Sequence, residues 1–233
     1  MENMKFEAVL FDCDGVLVDS EPITNGVLRD MLQERGWDMT VAECMDLFVG
    51  KTVKDEAALI EQRTGTAVTE DWLASFRDRR NDALSQHLTA IPDIHDAVHR
   101  VHAHYAGRIA CASGADRFKV ELMLRKLGLI SYFEGRIFSG YETPRSKPFP
   151  DVYLAAAAAL GVDPRRCAVV EDTVVGVTAG VAAGATVFAY SPVTSTHVTA
   201  DALLRAGAHQ VFTRMTALPA LLGQENMTQL TFT

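Results

Sequence analysis

Short apolar runs alternating with stretches of helical periodicity recur along this 233-residue chain and leave few folds open to it. The runs are Phe6 to Phe11, Arg108 to Ala112, Arg136 to Phe138, Cys167 to Val170 and Ala185 to Ala189, with a weak last one at Gln210 to Phe212. Runs of this length without polar alternation read as strands buried on both faces. Between them, residues 93–105, 116–127, 150–160, 173–183 and 196–206 place apolar side chains at helical spacing. Gly128, Gly161, Gly184 and Gly207 stand where a helix ends in a left-handed residue. Strand, helix, strand, helix with short turns implies a parallel sheet covered on both faces. In such sheets ligands bind outside the carboxyl ends of the strands.

One block breaks the alternation. From about Pro22 to Leu88 only helical patterning is found, over 23–35, 41–49, 53–64 and 69–87. The expected architecture is therefore α/β: a Rossmann-like parallel-sheet core domain of residues 1–19 and 90–233, with an inserted α-helical cap domain of residues 20–89. Hinges are expected near Val18 to Pro22 and Leu88 to Pro92.

Composition narrows the partners. A net charge of −8 argues against nucleic acid or an anionic membrane surface as a partner. Cys13, Cys44, Cys111 and Cys167 form no CxxC pair, so neither a zinc site nor a disulfide framework is indicated. No run of about 18 apolar residues occurs and the N-terminus has no signal-peptide layout. A cytoplasmic location and a monomer are the expectations.

The strand ends carry the chemistry. Asp12 and Asp14 leave the first strand, Ser113 and Gly114 the second, and the loop after Phe138 holds Lys147. Glu171 and Asp172 follow the strand at Cys167. Two acidic pairs, a hydroxyl and an ammonium on one rim suit a hard divalent cation together with a phosphate group. Mg²⁺ suits best, because it binds through few carboxylates and keeps waters and phosphate oxygens as its other ligands.

FDCDGVLVDSEP, CASGAD, RSKPFPDVY and VVEDTVVGVTAG resemble the four motifs of the haloacid dehalogenase superfamily. Residues 26–87 are similar to the helical cap of its β-phosphoglucomutase-like phosphatases. The resemblance implies that Asp12 takes the phosphoryl group as an aspartyl-phosphate, while Asp14 protonates the leaving alcohol and later deprotonates the attacking water. Ser113, Gly114 and Lys147 would bind the phosphoryl oxygens. Asp12, the Asp14 main-chain carbonyl and Asp172 would hold Mg²⁺, with Glu171 as a further or outer ligand. A small phosphorylated metabolite is the implied partner.

Two departures narrow the activity. Thr24 stands where the mutases have a histidine, and Ala115-Asp116 stands where they have a serine-lysine pair. Both favour a phosphatase of sugar or sugar-acid monophosphates over a β-phosphoglucomutase-type mutase, which stays as the alternative. The segment RIFSGYETPRSKPFP resembles phosphatases of the 6-phosphogluconate phosphatase type. In the cap, Lys51, Thr52, Arg80 and Asn81 are the expected readers of the non-phosphate half of the substrate, suited to a polyhydroxylated small molecule, neutral or anionic. Asp14 argues against haloacid dehalogenation and phosphonate hydrolysis, neither of which uses a second aspartate. A receiver domain would be about half this length. His95, His99 and His102 share a helical face and read as a surface stripe; Asp19, Ser20 and Glu21 read as hinge and capping residues.

Overall fold

A computed structural model describes residues 5–193 and 198–223. The six apolar runs form one parallel sheet of β1 (Ala8–Phe11), β4 (Ile109–Ser113), β5 (Ile137–Ser139), β6 (Cys167–Glu171), β7 (Thr186–Tyr190) and β8 (Gln210–Phe212). Their spatial order is β5-β4-β1-β6-β7-β8, so β1 lies inside the sheet between β4 and β6. Period-two alternation then sends Val9 and Phe11 to one face and Ala8 and Leu10 to the other, all fully buried.

Each face is covered by helices. Val9, Phe11, Ile109 and Cys111 pack beneath α5 (Ile94–His104) and α6 (Arg117–Lys126), joined by α7 (Ile130–Phe133) and α11 (Leu218–Leu221). Ala8, Leu10, Ala110 and Val169 pack beneath α8 (Asp151–Ala159), α9 (Val174–Ala182) and α10 (Ala200–Arg205). A side chain such as Leu10, taken wholly out of water, contributes about 1.5–3 kcal/mol. The expected helix start at Thr196 falls outside the described residues, as does most of the tail from Gly223 to Thr233.

After β1 the chain turns back on itself, with Gly15 N–H donating to the Val18 carbonyl at 2.8 Å. A two-residue strand β2 (Val18–Asp19) pairs antiparallel with β3 (Thr89–Ala90), two short elements that hydropathy did not reveal. Between them run α1 (Glu21–Gln33), α2 (Val41–Phe48), α3 (Ala57–Thr64) and α4 (Glu70–His87). These helices close around an apolar cluster of their own, Leu28, Met31, Leu32, Cys44, Phe48, Ile60 and Phe76. Thr40 and Thr69 cap α2 and α4 by accepting backbone N–H groups at 3.2 Å each. Residues 53–56, expected to be helical, form turns instead. All four cysteines are free and buried, and among the described residues no helix is long and apolar enough to cross a membrane.

Candidate active site

The carboxyl ends of β1, β4 and β6 bring Asp12, Ser113 and Glu171 to one rim, and the loop after β5 carries Lys147 over it. Lys147 Nζ donates to Asp12 Oδ1 at 2.6 Å and to Glu171 Oε1 at 2.7 Å, with all three side chains nearly closed to solvent. Tyr153, on α8, donates its hydroxyl to the same Glu171 oxygen at 2.9 Å and lays its ring 4.8 Å from the ammonium. The other Glu171 oxygen accepts the backbone N–H groups of Asp172 and Thr173 at 2.9 and 3.1 Å and the Thr173 hydroxyl at 3.2 Å. A Cβ at Gly176 would meet this carboxylate at 1.6 Å, so only glycine fits beneath it. Burial would raise Glu171, but Lys147 and these donors hold its carboxyl below the usual range. Through Oε1 it holds Lys147 in place.

A second ion-pair network lies beside the first. Lys119 Nζ reaches Asp14 Oδ1 at 2.6 Å, and Ser20 donates its hydroxyl to the same oxygen. Burial would raise Asp14, yet Lys119 keeps it lowered. Asp116 caps α6 by accepting the Lys119 N–H at 2.9 Å, and its other oxygen takes Arg80 from the helical insertion at 3.0 Å. This ion pair bridges α4 and α6. Ser113 does not cap α6; its Oγ accepts the Ala115 N–H at 3.0 Å and fixes the turn that carries Gly114.

The third group is unbalanced. Asp12, Glu171 and Asp172 offer carboxylate oxygens within 4.8 Å of one another. Asp172 Oδ1 is buried without a partner, and a Cβ at Gly15, where φ is +77°, would sit 1.9 Å from its Oδ2. Burial pushes the Asp12 carboxyl up to about 7 against the pull of Lys147. Burial and the neighbouring carboxylates drive Asp172 well above its ordinary range. A hard divalent cation would supply the missing positive charge, and this all-oxygen donor set fits it.

These groups open into a cleft of about 540 Å³ between the sheet rim and the helical insertion, lined by Asp12, Asp14, Ser113, Gly114 and Lys147. The insertion's share of the lining differs from the sequence expectation. Lys51 lines it but is paired with Glu56 at 3.3 Å, and Thr52 Oγ1 accepts the Asp55 N–H at 3.1 Å. Arg80 lines it as well, buried in its pair with Asp116. Asn81 is a correction: it is absent from the lining and accepts from Arg80 at 2.9 and 3.1 Å, so it steadies that guanidinium from behind. Successive helical residues are rotated about 100° apart, which turns Asn81 away when Arg80 faces in. Lys119, Tyr153 and Arg77 were missed. Outside the cleft, the exposed His95 gives Nε2 a partner in the Leu127 carbonyl at 2.8 Å and His99 meets Tyr132 at 3.3 Å, as a surface stripe should.

A parallel α/β sheet with an acidic rim, a buried lysine and a helical insertion after the first strand defines a class of hydrolases. The chain belongs to the haloacid dehalogenase-like hydrolases, whose family model matches residues 6–184. It is similar to the 6-phosphogluconate phosphatase of Escherichia coli, 30% identical over 79% of this chain and 82% of that protein. It is also similar to the fructose-1-phosphate phosphatase of the same organism, 28% identical over 77% of this chain and 94% of that protein. Among solved structures, a haloacid dehalogenase family hydrolase of Deinococcus radiodurans, crystallised with bound phosphate and sodium, superposes with a TM-score of 0.77. The two are 36% identical over 94% of this chain and 96% of the other. The protein is thus an enzyme, a hydrolase whose named relatives include phosphoric monoester hydrolases.

Proposed function

We propose that this enzyme hydrolyses a small sugar or sugar-acid monophosphate, in the manner of a 6-phosphogluconate phosphatase, through an aspartyl-phosphate on Asp12 and with Mg²⁺. The observation that carries the reading is the Lys147 ammonium bridging Asp12 and Glu171 at 2.6 and 2.7 Å. It sets one fixed positive charge where a nucleophilic carboxylate and the oxygens of a transferring phosphoryl group would meet.

The roles follow from the atoms. Asp12 attacks phosphorus, forming the O–P bond while the P–O bond to the leaving alcohol breaks. Ser113 and the Gly114 backbone receive phosphoryl oxygens beside Lys147. Asp14 supplies the proton to the leaving oxygen; the negative charge of the arriving phosphate raises its otherwise lowered pKa. It then takes a proton from the water that attacks the aspartyl-phosphate, in the ionised state that Lys119 and Ser20 favour. Asp12, the Asp14 carbonyl and Asp172 would hold Mg²⁺, with Glu171 outside them. When bound, the cation neutralises charge on the phosphoryl oxygens. The helical unit 20–89 works as a cap that closes on the bound ester and reopens, with the β2–β3 ribbon as its hinge.

Phosphate release across a panel of sugar, sugar-acid, nucleotide and polyol monophosphates, each with Mg²⁺ and with EDTA, tests this reading. Release confined to the Mg²⁺ arm and concentrated on a sugar or sugar-acid phosphate is the expected result. Conversion of β-glucose 1-phosphate to glucose 6-phosphate without net release would establish the mutase instead.

A further inference from the structure

Among the described residues, the cleft's cations are neutralised from within, with one exception. Lys51 is paired with Glu56, Lys54 with Glu70, Arg80 with Asp116, Lys119 with Asp14, and Lys147 with Asp12 and Glu171. Arg77 also lines the cleft and has no ion-pair or hydrogen-bond partner among the described residues. Its position makes this unusual. Leu73, Phe76, Arg80 and Leu84 form the buried stripe of α4, and Arg77 lies within that stripe, one turn before Arg80. It is exposed and open to the cleft, while its neighbours on the stripe are buried.

We infer that Arg77 is a specificity-determining residue that receives a second anionic group of the substrate, a carboxylate at the end remote from the phosphate. The inference rests on the phosphatase reading and deepens it, from sugar phosphates in general to sugar-acid phosphates. The phosphoryl group has its own charge partners on the sheet rim. A planar guanidinium with all its donors unspent matches a carboxylate bidentately, which no paired cation in the cleft could do without breaking an existing bridge. The rest of the wall suits a polyhydroxylated chain: Thr24 Oγ1 is buried, lines the cleft and has no partner. The cap carboxylate of Asp55 is exposed at the same cleft and can accept from hydroxyls.

Steady-state kinetics of wild type, Arg77→Met and Arg77→Lys on 6-phosphogluconate and on glucose 6-phosphate provide the test. These esters share the phosphate and differ in the carboxylate. Wild type should favour the acid by at least about tenfold. Arg77→Met should lose about tenfold to a hundredfold in kcat/KM on the acid, chiefly through KM, and stay within about threefold on the neutral ester. Arg77→Lys should fall between, since an ammonium keeps the charge but not the fork. Equal loss on both esters, no loss on either, or a wild type that does not distinguish them would overturn the inference and leave the phosphatase reading standing. A wild type that releases phosphate from neither these nor any other ester would instead overturn the phosphatase reading, and the role of Arg77 with it.

Discussion

Asp12→Asn is expected to lower turnover by at least about 10⁴-fold while leaving the fold intact. The amide has the size and shape of the carboxylate but no charge with which to attack phosphorus. The structure explains why the fold should tolerate it. Asp12 is buried in a position that already pushes its carboxyl up to about 7, so replacing it with a neutral group removes little favourable charge interaction. Lys147 keeps its bridge to Glu171 at 2.7 Å, and the backbone bond from Asp12 N–H to the Val170 carbonyl does not depend on the side chain. Thermal unfolding should move by no more than about 1 kcal/mol. A variant that retains a hundredth of wild-type turnover would contradict the role assigned to Asp12.

Lys147→Met should damage both activity and stability. Losing the ammonium removes the fixed positive charge at the proposed phosphoryl position, for which a loss of at least about 10²–10³ in kcat is expected. It also leaves Asp12 and Glu171 facing each other in a buried site. Removing one partner of a buried ion pair costs about 3–5 kcal/mol. The sign of the pH dependence follows. In wild type Lys147 holds the Glu171 carboxyl below its ordinary value, so the stability this gives is present above the unfolded pKa and lost as pH falls through the folded one. Without the lysine, burial raises both carboxyls, and the folded state takes up protons that the unfolded state does not. The deficit relative to wild type should therefore be largest near about pH 7.5 and shrink toward about pH 5. Urea unfolding at the two pH values measures it. An equal deficit at both would show that Lys147 stabilises by packing against Tyr153 and not by charge.

Much of this was legible in the sequence, for identifiable reasons. Buried parallel strands are short apolar runs, and all six announced themselves. The groups at their ends were legible because a strand's direction fixes where its last residue points. Asp12, Ser113 and Glu171 are placed by β1, β4 and β6. Lys147 stood out because it lies between Ser146 and Pro148 in RSKPFPDVY, a segment that resembles one of the four family motifs.

What stayed hidden lies on helices and depends on partners distant in sequence. Lys119 is an ordinary-looking lysine within α6 until the fold brings it to Asp14, 105 residues away in the chain. Tyr153 sits 18 residues before Glu171 and looks like one more core aromatic beside the AAAAA stretch. Arg77, Arg79, Arg80 and Asn81 crowd one helix, and a rotation of about 100° per residue decides which of them meets the cleft. The insertion's hydrophobic pattern does not determine that phase, because Arg80 occupies a core-facing position on the strength of its pair with Asp116.

The proposed reaction passes a phosphoryl group through Asp12. It is tested most directly with Asp14→Asn and p-nitrophenyl phosphate in Mg²⁺. The nitrophenolate leaves without a proton, so the first step survives the substitution. The second step lacks the base that would activate water. The prediction is a burst of one nitrophenolate per enzyme, followed by slow turnover, with one added phosphoryl group on the peptide containing Asp12 after acid quench and digestion. Absence of a burst together with an unmodified Asp12 peptide, or a phosphoryl group found on another side chain, would contradict it.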